Sequence, residues 1–383
     1  MIEDEKPSLV ALLEQLASSK HIEREKVTSN WIQALKKLPE DSMASPAIEE
    51  KFFTMFISEN WEVRYCALLA ASHLLCSIKT TNSFKLNFYE LLRTSVKDEE
   101  FRVRVAVGDA LELLIQKEVS TYDQFKDYIL GLIKEYSSVG KEEESKKPTW
   151  RYLESSLVVL QKCIEGAGTS FAPYLNETII SLIEHAANME VPFIREVTIN
   201  LTKTLFTIST EKDVSLLGPR FVPIIQKGLS DTWPQLRYAG CFSAKALFTL
   251  IQANDELKKA YYPTLLPPIC LNRYHNAEGV GILALQIWKD AVGDKGKEYV
   301  LEYIDKFVDH YTTQAKSRNN LIRESACHCI CELYTKVATL DKEKVKKFIP
   351  QLLECLIELM NDSSWEVRNA ACSATSKLIP VTT

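Results

Sequence analysis

Glycine and proline are scarce: the 383 residues hold only 12 of the first and 14 of the second. Glycine is usually about 7% of a chain and supplies the positive-φ positions of tight turns. So few turn formers in so long a chain exclude a β-sandwich, a β-barrel or a propeller. They also argue against a glycine-rich nucleotide-binding fold. Basic charge is not in excess either. The formal net charge is −5, where a duplex nucleic-acid binder normally carries a cationic surface. No apolar run approaches the roughly 18 residues of a membrane span. The opening stretch MIEDEKPS has neither a basic nor an apolar segment, so no leader peptide is expected. The expected setting is the cytoplasm or nucleus, with the 10 cysteines as free thiols. The sequons at Asn176 and Asn361 are then read as chance matches. There is no Gly-x-Ser-x-Gly, Walker or His-Glu-x-x-His motif, and the six histidines are scattered. No enzyme, cofactor or metal is expected.

What is present is a repeat. An aromatic or large apolar residue is followed by Arg and then by a helix of small and aliphatic residues. Examples are WEVRYCALLAASHLL from Trp61, FRVRVAVGDALELL from Phe101, and WEVRNAACSATSKL from Trp365. The arginines are Arg24, Arg64, Arg104, Arg151, Arg195, Arg237, Arg323 and Arg368. Their successive spacings are 40, 40, 47, 44, 42, 86 and 45 residues. The gap of 86 is two periods, with Val280 in the missing arginine's place. Nine units of this period suit stacked helix pairs. Each has an upstream helix with apolar residues at steps of three and four, as in Phe348, Leu352, Leu356 and Leu359. Prolines 173, 223 and 350 fall early in such helices, where a missing N–H costs little.

The pattern resembles the HEAT-repeat family, close kin of armadillo repeats. The stretch FIPQLLECLIELMNDSSWEVRNAACSATSKL, from Phe348 to Leu378, carries the likeness best. It has a proline-containing first helix, a turn aspartate, Val-Arg and an alanine-rich second helix. The aspartate lies six residues before the arginine in Asp98/Arg104, Asp231/Arg237 and Asp362/Arg368. The resemblance implies an all-α fold, an α–α superhelix of about nine helix pairs. It would form one domain over 1–383, with repeats at roughly 7–38, 46–79, 84–118, 121–166, 171–209, 213–253, 261–293, 297–338 and 343–380. It implies that the Asp and Arg side chains form a ladder between neighbouring repeats. A carboxylate at the turn can also cap the next helix, and an Arg of the same or the next repeat can engage it.

The family also places first helices on a convex face and second helices on a concave one. On the second helices, the first and fifth positions after the Arg then face the groove. The first row includes Tyr65, Val105, Tyr152, Glu196, Tyr238, Glu324 and Asn369. The second includes Leu69, Asp109, Ser156, Asn200, Phe242, His328 and Ser373. The partner-binding candidates are Tyr65, Tyr152, Glu196, Asn200, Tyr238, Phe242, Glu324 and His328. The expected function is a non-catalytic protein-binding scaffold or adaptor, with a transport adaptor of karyopherin type as the alternative. A HEAT-type enzyme or a nucleic-acid binder is the weaker reading; the His-Glu pairs of the di-iron members are absent. The expected partner is an extended or helical protein segment, with no membrane involved.

Other features carry two readings. Cys327, His328, Cys329 and Cys331 could hold a metal or act in redox chemistry. Cys327 shares its slot with Cys241, Cys372 and Leu68, however, and so reads as core. Trp61, Trp150, Trp233 and Trp365 share one slot, which points to packing between repeats. The loop from Val139 to Trp150 is a solvated linker, or a docking or phosphorylation site at Ser145. Gln314–Asn320, with Lys316 and Arg318, offers a dock for an acidic segment. Gly279, Gly281, Gly293 and Gly296 mark a hinge or simply close packing. The final helix is either polar at Asn369 and Lys377 or used in self-association.

Overall fold

The computed structural model describes residues 8–18, 21–138 and 149–382. These residues are helical almost throughout, and their only β pairing is an isolated bridge between Met43 and Lys79. Packing divides the chain into two compact units, Met1–His185 and Ala186–Thr383. The first contains α1 (Leu9–Ser18), α2 (His21–Leu35), α3 (Pro46–Phe56), α4 (Trp61–Ser77), α5 (Asn82–Ser95) and α6 (Phe101–Lys117). It continues through α7 (Lys126–Ser137), α8 (Trp150–Ala167) and most of α9 (Glu177–Ala187), whose last two residues fall in the second unit. The second contains α10 (Pro192–Ile208), α11 (Val214–Leu229), α12 (Pro234–Leu250), α13 (Asp255–Asn272) and α14 (Glu278–Val292). Then come α15 (Gly296–Glu302), α16 (Ile304–Gln314), α17 (Asn320–Glu332), α18 (Lys342–Lys346), α19 (Ile349–Leu359) and α20 (Trp365–Thr382). In sequence order these make about nine helix pairs. The candidate linker at 139–148, with Ser145, lies outside the described residues.

Local chemistry sets the helix starts. Asn60, Thr81, Asn254, Asn319 and Asp341 each accept a main-chain N–H of the helix that follows, which satisfies donors with no intrahelical partner. Pro46, Pro192 and Pro234 open their helices. In the first unit Trp31, Phe52, Phe84 and Phe88 are fully buried, and the Trp31 indole donates to the Ala70 carbonyl at 3.0 Å.

The arginines follow one rule. In Arg64, Arg104, Arg195, Arg323 and Arg368 the Nη1 donates to the carbonyls six and five residues earlier, at 2.6–3.3 Å. The Arg therefore clamps the turn of its own repeat. The turn carboxylate is taken by the Arg of the preceding repeat. Arg64 grips Asp98 with two bonds of 2.8 Å, and Arg323 grips Asp362 at 2.6 and 2.7 Å. Arg195 reaches Asp231 at 3.1 Å, and Arg24 pairs with Glu62 in the acidic position of its neighbour. So Asp98 and Asp362 do not bind the side chains of Arg104 and Arg368, which lie six residues on; those arginines hold main-chain oxygens. The same carboxylates accept the N–H two residues later, at 2.9–3.1 Å for Asp98, Asp231 and Asp362. Bidentate charge-assisted bonds are the strong ones. Arg323 and a neighbouring N–H hold the Asp362 carboxyl below its usual range.

Arg104 finds Ser155 Oγ at 2.8 Å instead of an acid, and Arg151 lies over the Trp150 ring. Arg237 faces the repeat that lost its own arginine. There Asn272 replaces the acid and accepts from Nη1 at 2.5 Å, while Leu229 and Asp231 carbonyls accept at 2.9 and 2.6 Å. Val280 fills the vacant slot as a buried aliphatic. α13 runs through Pro263, Pro267 and Pro268 rather than starting near them. Each lacks the N–H that would bond back one turn, yet Leu265, Leu266, Ile269 and Leu271 are all fully buried and hold the helix in place.

Two of the four clustered glycines have an evident role. Gly293 has φ +53°, and a Cβ on Gly281 would sit 2.9 Å from the His275 carbonyl. A tighter glycine lies in the first unit. A Cβ on Gly166 of α8 would lie 2.5 Å from the Glu112 carbonyl oxygen of α6. Gly166→Ala is therefore expected to cost about 2 kcal/mol, because rigid backbone must give way. Thermal unfolding followed by circular dichroism checks this; an unchanged midpoint would mean the two helices part freely.

Candidate functional site

The first unit carries a cavity of about 440 Å³ on the second helices α2, α4 and α6. Its apolar wall is Trp61, Tyr65, Leu69, Phe101 and Val105, and Asp109 stands at its edge. Tyr65 and Val105 belong to the first row anticipated for the groove, Leu69 and Asp109 to the second. Their meeting follows from helix geometry. Positions one and five after each Arg share a face, while positions three, seven and ten turn inward. In α4 these are Ala67, Ala71 and Leu74, all fully buried. Tyr65 and Leu69 are half-buried. Beneath them Cys66 is buried, which pushes its thiol up to about 11.

Charges ring the cavity. Arg24 is engaged by Glu62, and Asp109 lies 3.4 Å from Lys162. Lys162 is also 2.9 Å from Glu112. Arg102 stacks its guanidinium over the Trp61 ring at 4.8 Å and remains exposed. The aromatic slot at the helix start thus acts differently from the packing role expected of it. Phe101, Phe193, Trp233 and Trp365 are 42–62% exposed, and arginines cover Trp61, Phe101 and Trp150. The slot falls at the first or second residue of a helix, or just before it, and Trp61 there meets Arg102 of the next repeat.

The other candidates are distributed. Tyr152, also in the first unit, packs on Tyr136 with ring centroids 5.6 Å apart. In the second unit Tyr238 meets Phe242 edge-on at 4.9 Å. His328 stacks on Tyr274 at 5.2 Å and lies 3.8 Å from Glu324. Glu196 and Asn200 are half-buried on α10, and burial raises the Glu196 carboxyl. Ser156 is fully buried and turns away from any groove, because its hydroxyl bonds back to the Tyr152 carbonyl at 2.8 Å.

The cysteine cluster separates. Cys327 and Cys241 are core, whereas Cys372 in the same slot is exposed, since α20 packs against α17 and α19 and leaves that side open. Among the described residues no group of three or more His, Cys, Asp or Glu side chains is placed to hold a metal. In Gln314–Asn320 the carbonyls of Ser317 and Arg318 are held by Arg323, while Lys316 and Arg318 are exposed. Asn369 and Lys377 are exposed on α20. No described helix is long and apolar enough to cross a membrane.

Paired helices joined by an arginine–carboxylate ladder define an all-α repeat protein. The HEAT-repeat family model matches residues 352–382, the stretch that contains Asp362, Arg368 and α20. The chain is an all-α helical-repeat protein that carries a HEAT repeat in this stretch. Among solved structures, an engineered protein is similar over 98% of this chain and 99% of its own, at 11% identity and TM-score 0.45. Importin beta is similar over 97% of this chain and 50% of its own, at 10% identity and TM-score 0.49. The karyopherin Kap121p, solved bound to the SUMO protease Ulp1p, is similar over 98% and 42%, at 12% identity and TM-score 0.44. The chain thus spans half or less of those two longer proteins. No curated protein matches it in sequence.

Proposed function

We propose that this protein is a non-catalytic scaffold or adaptor that binds a partner protein on the faces of its second helices. The observation that carries the reading is the cavity walled by Trp61, Tyr65, Leu69, Phe101 and Val105. It is concave, largely apolar and bordered by a few polar groups, the form of a binding pocket. Tyrosine and tryptophan offer large contact area with a polar edge. The occupant is a segment, helical or extended, that inserts one large apolar side chain. With Arg24 and Asp109 already engaged, Arg102 is the rim charge that pairs with an acidic residue beside that anchor. No feature of the pocket favours a transport role over a scaffold role.

The test compares proteins recovered with the wild type, with Leu69→Glu, and with Ile57→Glu as a control. Ile57 is 83% exposed and lies outside the pocket. A charge buried at a hot spot costs 2 kcal/mol or more, so recovery of a direct partner should fall about thirtyfold in Leu69→Glu and hold in Ile57→Glu. Equal recovery by all three, with helical content unchanged, overturns the proposal.

A further inference from the structure

α13 and α17 bring together two cysteines that lie 59 residues apart in the chain. Cys270 and Cys329 are 2% and 1% exposed. The Cys329 thiol donates to the Cys270 carbonyl oxygen at 3.9 Å. Two donors reach the Cys270 sulfur: Arg273 Nη2 at 2.9 Å and the Tyr311 hydroxyl at 3.0 Å. Arg273 is fixed from several sides. Its Nε donates to the Cys270 carbonyl at 2.9 Å, its Nη2 to Glu332 at 2.5 Å, and its plane lies over Trp288 at 5.0 Å.

A neutral thiol is a weak acceptor, whereas two converging donors, one of them a guanidinium, suit a thiolate. Burial alone would push the Cys270 thiol up. The Cys329 thiol, the Arg273 charge and the Tyr311 hydroxyl together outweigh it and hold Cys270 below the ordinary thiol range. Cys329 goes the other way: burial first, then its bond to Cys270, keeps its proton on. Cys241 and Cys327, which lack such donors, are pushed up to about 12 by burial. A cavity of about 320 Å³ is lined by both cysteines and also by Arg273, Lys297, Tyr311 and Lys336. A small polar oxidant therefore has a path to the pair.

We propose that Cys270 and Cys329 are a redox-reactive dithiol that takes hydrogen peroxide and closes to a disulfide between α13 and α17. The Cys270 thiolate attacks one peroxide oxygen. The S–O bond forms as the O–O bond breaks, and hydroxide leaves. Cys270 is then a sulfenic acid, oxidised by two electrons, and the peroxide is reduced by two. The Cys329 sulfur next attacks the sulfenic sulfur. The S–S bond forms, the S–O bond breaks, and the departing hydroxide leaves as water with the Cys329 proton. One thiolate, one thiol and one peroxide give one disulfide, one water and one hydroxide. The product removes the negative sulfur from beside Arg273.

The test treats the reduced full-length chain with hydrogen peroxide at pH 7, followed by alkylation and peptide mass spectrometry. The exposed Cys372 is the internal control. The expected product is a Cys270 peptide joined to a Cys329 peptide, formed at least about tenfold faster than Cys372 is oxidised. In Cys329→Ser, dimedone should trap a sulfenic acid on Cys270. In Cys270→Ser, Cys329 should stay alkylatable. Tyr311→Phe removes one donor with little change of shape and should slow the reaction several-fold. Cys270 and Cys329 both remaining alkylatable in the folded wild type while Cys372 oxidises overturns the proposal. So does a disulfide that forms only once the chain is unfolded in urea.

Discussion

Replacing Arg237 with methionine is expected to destabilise the second unit by about 3 kcal/mol. Arg237 is 1% exposed, and burial brings its guanidinium down to about 10. Methionine relieves that desolvation, which by itself favours the variant. Against it stand the carbonyls of Leu229 and Asp231 and the amide oxygen of Asn272, which are left without this donor inside the protein. Hydrogen bonds from a charged donor contribute about 1.5–3 kcal/mol each, so losing these three and the longer one to Gln314 at 3.4 Å outweighs the relief. Hydrogen exchange of the amides in α12 and α13 measures the result. Those that open with the unit should exchange about a hundredfold faster. Unchanged protection would show that the cation is surplus to the packing.

Mild acid should have an effect of similar or larger size. His275 and His310 are both kept neutral, at about 4 and about 3, by burial first and then by the positive charge of Arg237. The Nε2 atom of each is buried without a hydrogen-bond partner. The sign is fixed by where protons bind. In the unfolded chain a histidine takes a proton near 6.5, and in the folded chain only near 4 or below. The stability difference is therefore fully present above pH 6.5 and is lost as the pH falls toward 4. At pH 5 each histidine contributes about 2 kcal/mol of loss, about 4 together. Denaturant titrations at pH 7 and pH 5 read this directly. His310→Phe should weaken the dependence by half, and Arg237→Met should weaken it as well, since the cation near both rings is gone. A pH-independent midpoint between 7 and 5 would contradict the buried neutral state. Asp362 acts in a lower window. Its carboxyl is depressed by Arg323, so its contribution holds above the ordinary carboxylate range and is lost only below about pH 4.

The helix pairs were legible because one arginine per repeat marked the phase. The wall of the first-unit cavity was legible for the same reason. Once Arg64 and Arg104 fix the rotation of α4 and α6, Tyr65, Leu69, Val105 and Asp109 must share a face. The direction of each ladder rung was not legible. Asp98 lies six residues from Arg104 and 34 from Arg64, and a constant period makes those two choices look equivalent in sequence. The folded chain brings the distant arginine to the carboxylate. Cys270, Arg273 and Tyr311 escaped notice for a different reason. They lie in the repeat without its arginine and in the first helix of the next, so no repeated slot drew attention to them. The signal available was two cysteines and an arginine within a turn of two helix ends, which composition alone cannot pair.

The direction of the rungs also determines where the chain can be cut. A fragment that stops after α17 keeps Arg323 but loses Asp362, so a half-buried cation is left facing solvent where its anion belonged. Extending the same fragment through the turn at Asp362, only a few residues past α19, returns the anion. A boundary drawn between helix pairs, as the eye would draw it, severs a rung. A fragment that ends on the turn carboxylate of the repeat that follows keeps its last rung.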